Sequence, residues 1–147
     1  MKTIFKLITL VLLLFAVSKA SAQDKMLSFD ALPGQAQAFV KKYFSVKDVA
    51  HVKMDTEYIF KKEYEVILKN GSKLEFDSDG LWKKVEMKAG AVPPQIIPAA
   101  TSQYIQKSFP NTFVKEISRE RKRYEVEISN GLDLEFSEDG KFIRIDD

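Results

Sequence analysis

Tyr64-Glu65-Val66-Ile67-Leu68-Lys69-Asn70-Gly71-Ser72-Lys73-Leu74-Glu75-Phe76-Asp77-Ser78-Asp79-Gly80 is answered sixty residues on by Tyr124-Glu125-Val126-Glu127-Ile128-Ser129-Asn130-Gly131-Leu132-Asp133-Leu134-Glu135-Phe136-Ser137-Glu138-Asp139-Gly140. Ten of the seventeen positions are identical, far beyond chance, which reads as a duplicated unit. What recurs is turn residues and two-residue alternation, the marks of antiparallel strands joined by tight turns. No catalytic constellation recurs with them.

Each copy follows a helix signal. Leu32-Pro33 precedes an apolar stripe at Ala36, Phe39, Val40, Tyr43 and Phe44, and Ile97-Pro98 precedes Thr101, Tyr104, Ile105, Ser108 and Phe109, with Pro110 as the stop. Strands are expected at His51 to Thr56, Lys62 to Lys69, Ser72 to Asp77 and Leu81 to Met87, then at Phe113 to Ser118, Arg123 to Ser129, Leu132 to Ser137 and Lys141 to Asp146. Ala89-Gly90-Ala91-Val92-Pro93-Pro94 reads as a short stiff linker between the units.

The turns set the register, because cross-strand partners share a face. A three-residue Lys69-Asn70-Gly71 loop opposes Val66 to Leu74 and Tyr64 to Phe76, whereas a two-residue loop would oppose Val66 to Glu75. At the next turn a two-residue Asp79-Gly80 loop is expected. It opposes Phe136 to Ile143, Leu134 to Ile145, Glu135 to Arg144 and Glu75 to Lys84. This register puts Tyr64, Val66, Leu68, Leu74, Phe76 and Val85 under the helix. It leaves Glu65, Ile67, Glu75, Trp82 and Lys84, with Glu125, Glu127, Asp133, Glu135, Phe142 and Arg144, on an outer face. Trp82 and Phe142 are the expected partner contacts, with Ile67, Lys84, Arg144, Glu75 and Glu135 around them. A one-residue change of turn length would move both aromatics into the core.

The fold class is therefore α+β: two tandem repeats, each a helix followed by a four-stranded antiparallel meander. The two sheets either join into one continuous eight-stranded sheet with helices on one face or pack against each other. Residues 1–22 read as a signal peptide, with Lys2 and Lys6, an apolar core from Leu7 to Val17 and Ala20-Ser21-Ala22 at the cleavage site. Residues 23–30 lead into repeat 1 (31–88), a linker (89–96) and repeat 2 (97–147). Loss of Lys2, Lys6 and Lys19 takes the formal charge from +2 to −1, which removes any chain-wide attraction to nucleic acid or anionic membrane. The chain has no cysteine, hence no disulfide and no lipid on a cysteine near the cleavage site.

In its tyrosine-led strand (Tyr64 to Leu68), Asn70-Gly71, Leu74-Glu75-Phe76, Asp79-Gly80-Leu81-Trp82 and Lys83-Lys84-Val85, the chain resembles the PepSY-like, β-lactamase-inhibitor-protein-like family of small secreted bacterial proteins. Its second copy departs from the pattern at Phe142 and Ile143. The resemblance implies exported helix-plus-sheet units in tandem that bind or inhibit other proteins, often hydrolases. It carries over no inhibitory residue.

Other residues have plainer readings. His51 is the only histidine, too few for a hydrolytic triad or a histidine-built zinc site. Asp77-Ser78-Asp79-Gly80 and Ser137-Glu138-Asp139-Gly140 supply half of a calcium loop and lack the distal glutamate. The facing pairs Glu65–Glu75 and Glu125–Glu135 read as a charge ladder with Lys84 and Arg144, and Arg119 to Arg123 as a solvated strand edge. The leading expectation is a non-enzymatic, cofactor-free, periplasmic or secreted module that binds an extracytoplasmic protein through the outer sheet face. Two alternatives are a small-ligand or cation binder using the acidic turns or a groove between the repeats, and a structural envelope protein. An exposed edge strand leaves dimerisation by sheet extension open.

Overall fold

Hydrophobic alternation turns into a ladder of nine antiparallel strands in simple sequence order, described in a computed structural model for residues 24–57 and 61–146. The expected leader, residues 1–22, lies outside the described residues. The strands are β1 (Lys25–Leu27), β2 (Val49–Glu57), β3 (Lys61–Leu68), β4 (Lys73–Phe76), β5 (Trp82–Glu86), β6 (Val114–Glu120), β7 (Arg123–Ile128), β8 (Asp133–Ser137) and β9 (Phe142–Asp146). Two helices interrupt them, α1 (Gly34–Tyr43) and α2 (Ala99–Ser108). Eight of the strands fall where alternation places them. The ninth, β1, is too short to show a period, and its pairing of Met26 with Lys53 is set by a distant strand.

The sheet is continuous because β5 pairs directly with β6, opposing Lys84 to Ser118, Val85 to Ile117 and Glu86 to Glu116. Val85 and Ile117 are fully buried, so the apolar side of one half runs into that of the other. The connection between them is pinned rather than free. Val92 and Ile96 enter the core, and the Val92 amide donates to the Val114 carbonyl at 2.8 Å.

Both helices cover the same side. Pro33 and Pro98 stand at the N-caps of α1 and α2, where a missing N–H costs nothing, and the lysines Lys41, Lys42 and Lys107 sit in the last turns, favourable for the helix dipole. Phe39 of α1 meets Phe76 edge-on at 5.5 Å between ring centroids, and Tyr104 of α2 meets Phe136 in the same way at 5.8 Å. The opposite side of the sheet carries no helix among the described residues.

All four hairpin turns in β3–β5 and β7–β9 have one geometry. The closing amides of Leu68, Asp77, Ile128 and Ser137 donate to the carbonyls of Ser72, Leu81, Leu132 and Lys141, each across a three-residue loop ending in glycine. This agrees with the expectation at Asn70-Gly71 and corrects it at Asp79-Gly80, where the loop includes Ser78. The extra residue is absorbed by a bulge. Phe76 opposes Trp82 but Glu75 opposes Lys84, leaving Lys83 unpaired, and Phe136 opposes Phe142 but Glu135 opposes Arg144, leaving Ile143 unpaired.

The glycine in the turn after β4 is held twice over. Gly80 has φ +84°, and a Cβ there would lie 2.7 Å from the Pro33 Cβ and 2.9 Å from the Ala36 nitrogen, because the start of α1 rests on the turn. Gly131 has φ +88° but open space around it. Gly131→Ala is expected to cost about 1–2 kcal/mol through backbone strain alone. Gly80→Ala is expected to cost clearly more, as α1 must also lift. Urea unfolding of the two variants, compared with the parent, checks the order.

Candidate functional site

The side of the sheet away from the helices is the candidate site, and its charges fall in rows because the register is continuous. One row crosses all nine strands: Met26, Lys53, Glu65, Glu75, Lys84, Ser118, Glu125, Glu135, Arg144. The next begins at His51, Ile67 and Lys73 and continues through Glu86, Glu116, Glu127, Asp133 and Asp146, five carboxylates on five successive strands. Glu116, Glu125, Glu127, Asp133 and Asp146 line a shallow concavity of about 350 Å³, with Val126 and Leu134, whose side chains enter the core on the other side, in the strands beneath.

Of the residues expected on this face, Ile67, Glu75, Lys84, Glu135 and Arg144 are there. Trp82 and Phe142 are not. The three-residue turn holds both rings on the helix side, where Phe39 lies 6.2 Å from Trp82 and Tyr104 stacks on Phe142 at 4.3 Å. Each ring completes a triad under a helix, Phe39–Phe76–Trp82 and Tyr104–Phe136–Phe142. Trp82 also stacks on Tyr124, at 6.3 Å, across the junction of the two halves.

The basic run is no strand edge, since β6 and β7 are internal strands. Arg119 lies over the Trp82 ring at 4.9 Å and donates to its carbonyl at 3.0 Å, Arg121 and Lys122 form the hairpin tip, and Arg123 reaches Glu135. In the acidic turns, Asp77 Oδ1 accepts the amides of Asp79 and Leu81, both at 2.9 Å, so this oxygen serves the turn. Among the described residues no three metal-ligating side chains converge to hold an ion.

Ion pairs lock much of the face. Lys83 meets Glu63 at 2.6 Å, Lys84 meets Glu116 at 2.7 Å and Lys115 meets Glu127 at 2.6 Å. Glu135, its side chain only 5% exposed, is clasped by Arg123 and by Arg144 at 2.6 Å. The hydrogen bond from Arg123, aided by Arg144, holds the Glu135 carboxyl below its ordinary value. Glu75 stands at the matching position of the other half and behaves oppositely. Burial raises its carboxyl above the ordinary value against the pull of Lys84, and facing Glu65 adds to the rise. The five-acid row was missed by sequence reasoning. Each strand's alternation was visible, but the β5–β6 register that aligns the two halves of the row has no local signal.

A family model described as "Putative beta-lactamase-inhibitor-like, PepSY-like" matches residues 62–144. Three crystal structures share the fold. A "putative periplasmic protein" of the DUF2874 family from Bacteroides vulgatus is 38% identical, with a TM-score of 0.80 over 87% of this chain and 100% of that one. A "putative calcium-regulated periplasmic protein" from Bacteroides thetaiotaomicron is 41% identical, with a TM-score of 0.80 over 84% of this chain and 97% of that one. A second B. vulgatus protein, of unknown function, is 32% identical, with a TM-score of 0.79 over 85% and 100%. No curated protein matches. No helix among the described residues is long and apolar enough to cross a membrane.

Two expectations follow from these positions. Trp82→Ala should lose about 3 kcal/mol of stability, since it opens a cavity beneath α1, while Trp82→Phe is tolerated as Phe142 is in the other half. Thermal melts check both. Glu75 has a raised carboxyl value, so its ionised form weakens the fold above that value and the penalty vanishes below the unfolded value. Glu135 has a lowered one, so its contribution is present above the unfolded value near 4.5 and is lost as pH falls through the folded value. Glu75→Gln should therefore raise the melting temperature at about pH 7, and Glu135→Gln lower it, with both differences shrinking toward about pH 3.

Proposed function

We propose a function from one premise: the chain belongs to the PepSY-like, β-lactamase-inhibitor-like family. It is an exported, non-enzymatic module of two tandem PepSY-like repeats that holds an extracytoplasmic protein, a hydrolase being the class the family description suggests, against the outer face of its sheet. The observation that carries this reading is the sheet face that no helix covers among the described residues. Nine strands present fixed rows of charge there while both helices sit on the other side. Ion-paired side chains on a regular sheet are already ordered before a partner arrives, which lowers the entropy lost on docking. The structural neighbours' description as periplasmic supports export.

The contacts assigned to this face are Ile67, Glu75, Lys84, Glu135 and Arg144, joined by Glu125 and the row from Glu86 to Asp146. Trp82 and Phe142 lie outside this set, because their rings pack against the helices. A second reading, cation binding, draws on the five-carboxylate row and on the description of the B. thetaiotaomicron neighbour as calcium-regulated. It predicts a melting temperature that climbs with calcium concentration, as for any ligand of the folded form alone.

The test is capture from the source cell's envelope and secreted fractions by the exported protein and by an Ile67→Asp, Glu125→Lys variant. Both substitutions lie on the outer face and touch no helix. A protein retained by the parent and lost by the variant, at an unchanged melting temperature, is the expected result. Equal retention by both would refute a binding role for this face, and a melting temperature raised by calcium without captured protein would favour the second reading.

A further inference from the structure

The sheet ends at β9, and among the described residues no strand pairs with its far side. The apolar layer stops there abruptly. Leu134 on β8 is fully buried, whereas Ile145, directly opposite it on β9, is 43% exposed, and Ile143 is 44% exposed. An edge strand with free backbone groups and bare isoleucines is a template for another strand.

We propose that β9 pairs antiparallel with β9 of a second copy about a two-fold axis at Ile145. Directly opposed residues share a face, which leaves three registers to weigh. An axis at Arg144 opposes two guanidiniums. An axis at Ile143 opposes Arg144 to Phe142 of the second copy, a charge against a ring held on the helix side. The axis at Ile145 opposes the two bare isoleucines on the helix side and sets Arg144 against Asp146 twice on the outer side. Those two groups already meet at 3.2 Å within one chain, so the pairing exchanges partners without stranding a charge. β9 spans five residues, so the contact falls short of the ~1,000 Å² of a durable interface. The dimer is weak and concentration-dependent, and its two-fold symmetry closes it at two copies. It extends the outer face across two chains without covering it.

The chain's lack of cysteine makes the register directly testable. Opposed Cα atoms in an antiparallel pair lie ~5.5 Å apart, within disulfide reach, while an axis at Ile145 separates the two Ile143 positions by ~14 Å. The exported protein should show a rising dimer fraction in sedimentation across a hundredfold concentration range. Ile145→Cys should crosslink under mild oxidation and Ile143→Cys should not, and Asp146→Arg should weaken the dimer at least tenfold at an unchanged melting temperature. A monomer at every concentration, or crosslinking equal at the two positions or absent from both, would overturn the proposal.

Discussion

A three-residue turn holds Trp82 and Phe142 opposite Phe76 and Phe136 on the helix side, and one unpaired residue just beyond each ring, Lys83 and Ile143, decides which way the rest of β5 and β9 points. Without the bulge, a three-residue turn would carry its register unchanged down the strand and put Lys84 and Arg144 out of step with Glu75 and Glu135. With it, Trp82 and Phe142 stay on the helix side next to the turn, and the charges beyond recover their partners on the outer side. The helices depend on this, because Phe39 and Tyr104 seat on those rings. The turns take part as well. Gly80 lies against the start of α1, and Thr101 of α2 donates to the Gly140 carbonyl at 3.2 Å.

The second constraint is the short β5–β6 pairing. Three residue pairs suffice to align nine strands because Val85 and Ile117 fill the same core and the segment before α2 is tied to β6 through Val92. With both described helices on one side, the other side carries none among the described residues, and its alternate positions carry the charge that suits a sheet face to water.

Much of this was legible in the residues. Strand positions follow from alternation around Tyr64 to Phe76 and Tyr124 to Phe136, helix starts from Pro33 and Pro98, and the Asn-Gly register from the rule that Val66 cannot oppose Glu75. Glu75–Lys84 and Glu135–Arg144 were also paired correctly, although on a turn one residue too short. The missing turn residue and the unseen bulge cancel beyond Lys83 and Ile143, so only Trp82 and Phe142 betray the error. Pairing logic tests charges and aliphatics well and says little about a large ring beside a turn, where either face can accept it until a helix arrives. β1 and the five-carboxylate row were illegible for a different reason, since both depend on strands brought together from far apart in the chain.

The junction also makes two halves of matched sequence electrostatically unlike. Glu75 and Glu135 occupy the same place in their hairpins, each facing a glutamate and each opposite a cation. Lys84, however, sits on an internal strand, and its ammonium reaches across the junction to Glu116. Arg144 sits on β9, whose far side pairs with no strand among the described residues, and its guanidinium turns back to Glu135, where Arg123 completes the clasp. One carboxylate is thereby left with burial as its dominant influence and the other with two guanidiniums, which is why their ionisation shifts in opposite directions. The face thus carries two different charge settings, and the difference arises from where each half stands in the sheet rather than from the residues that the halves share.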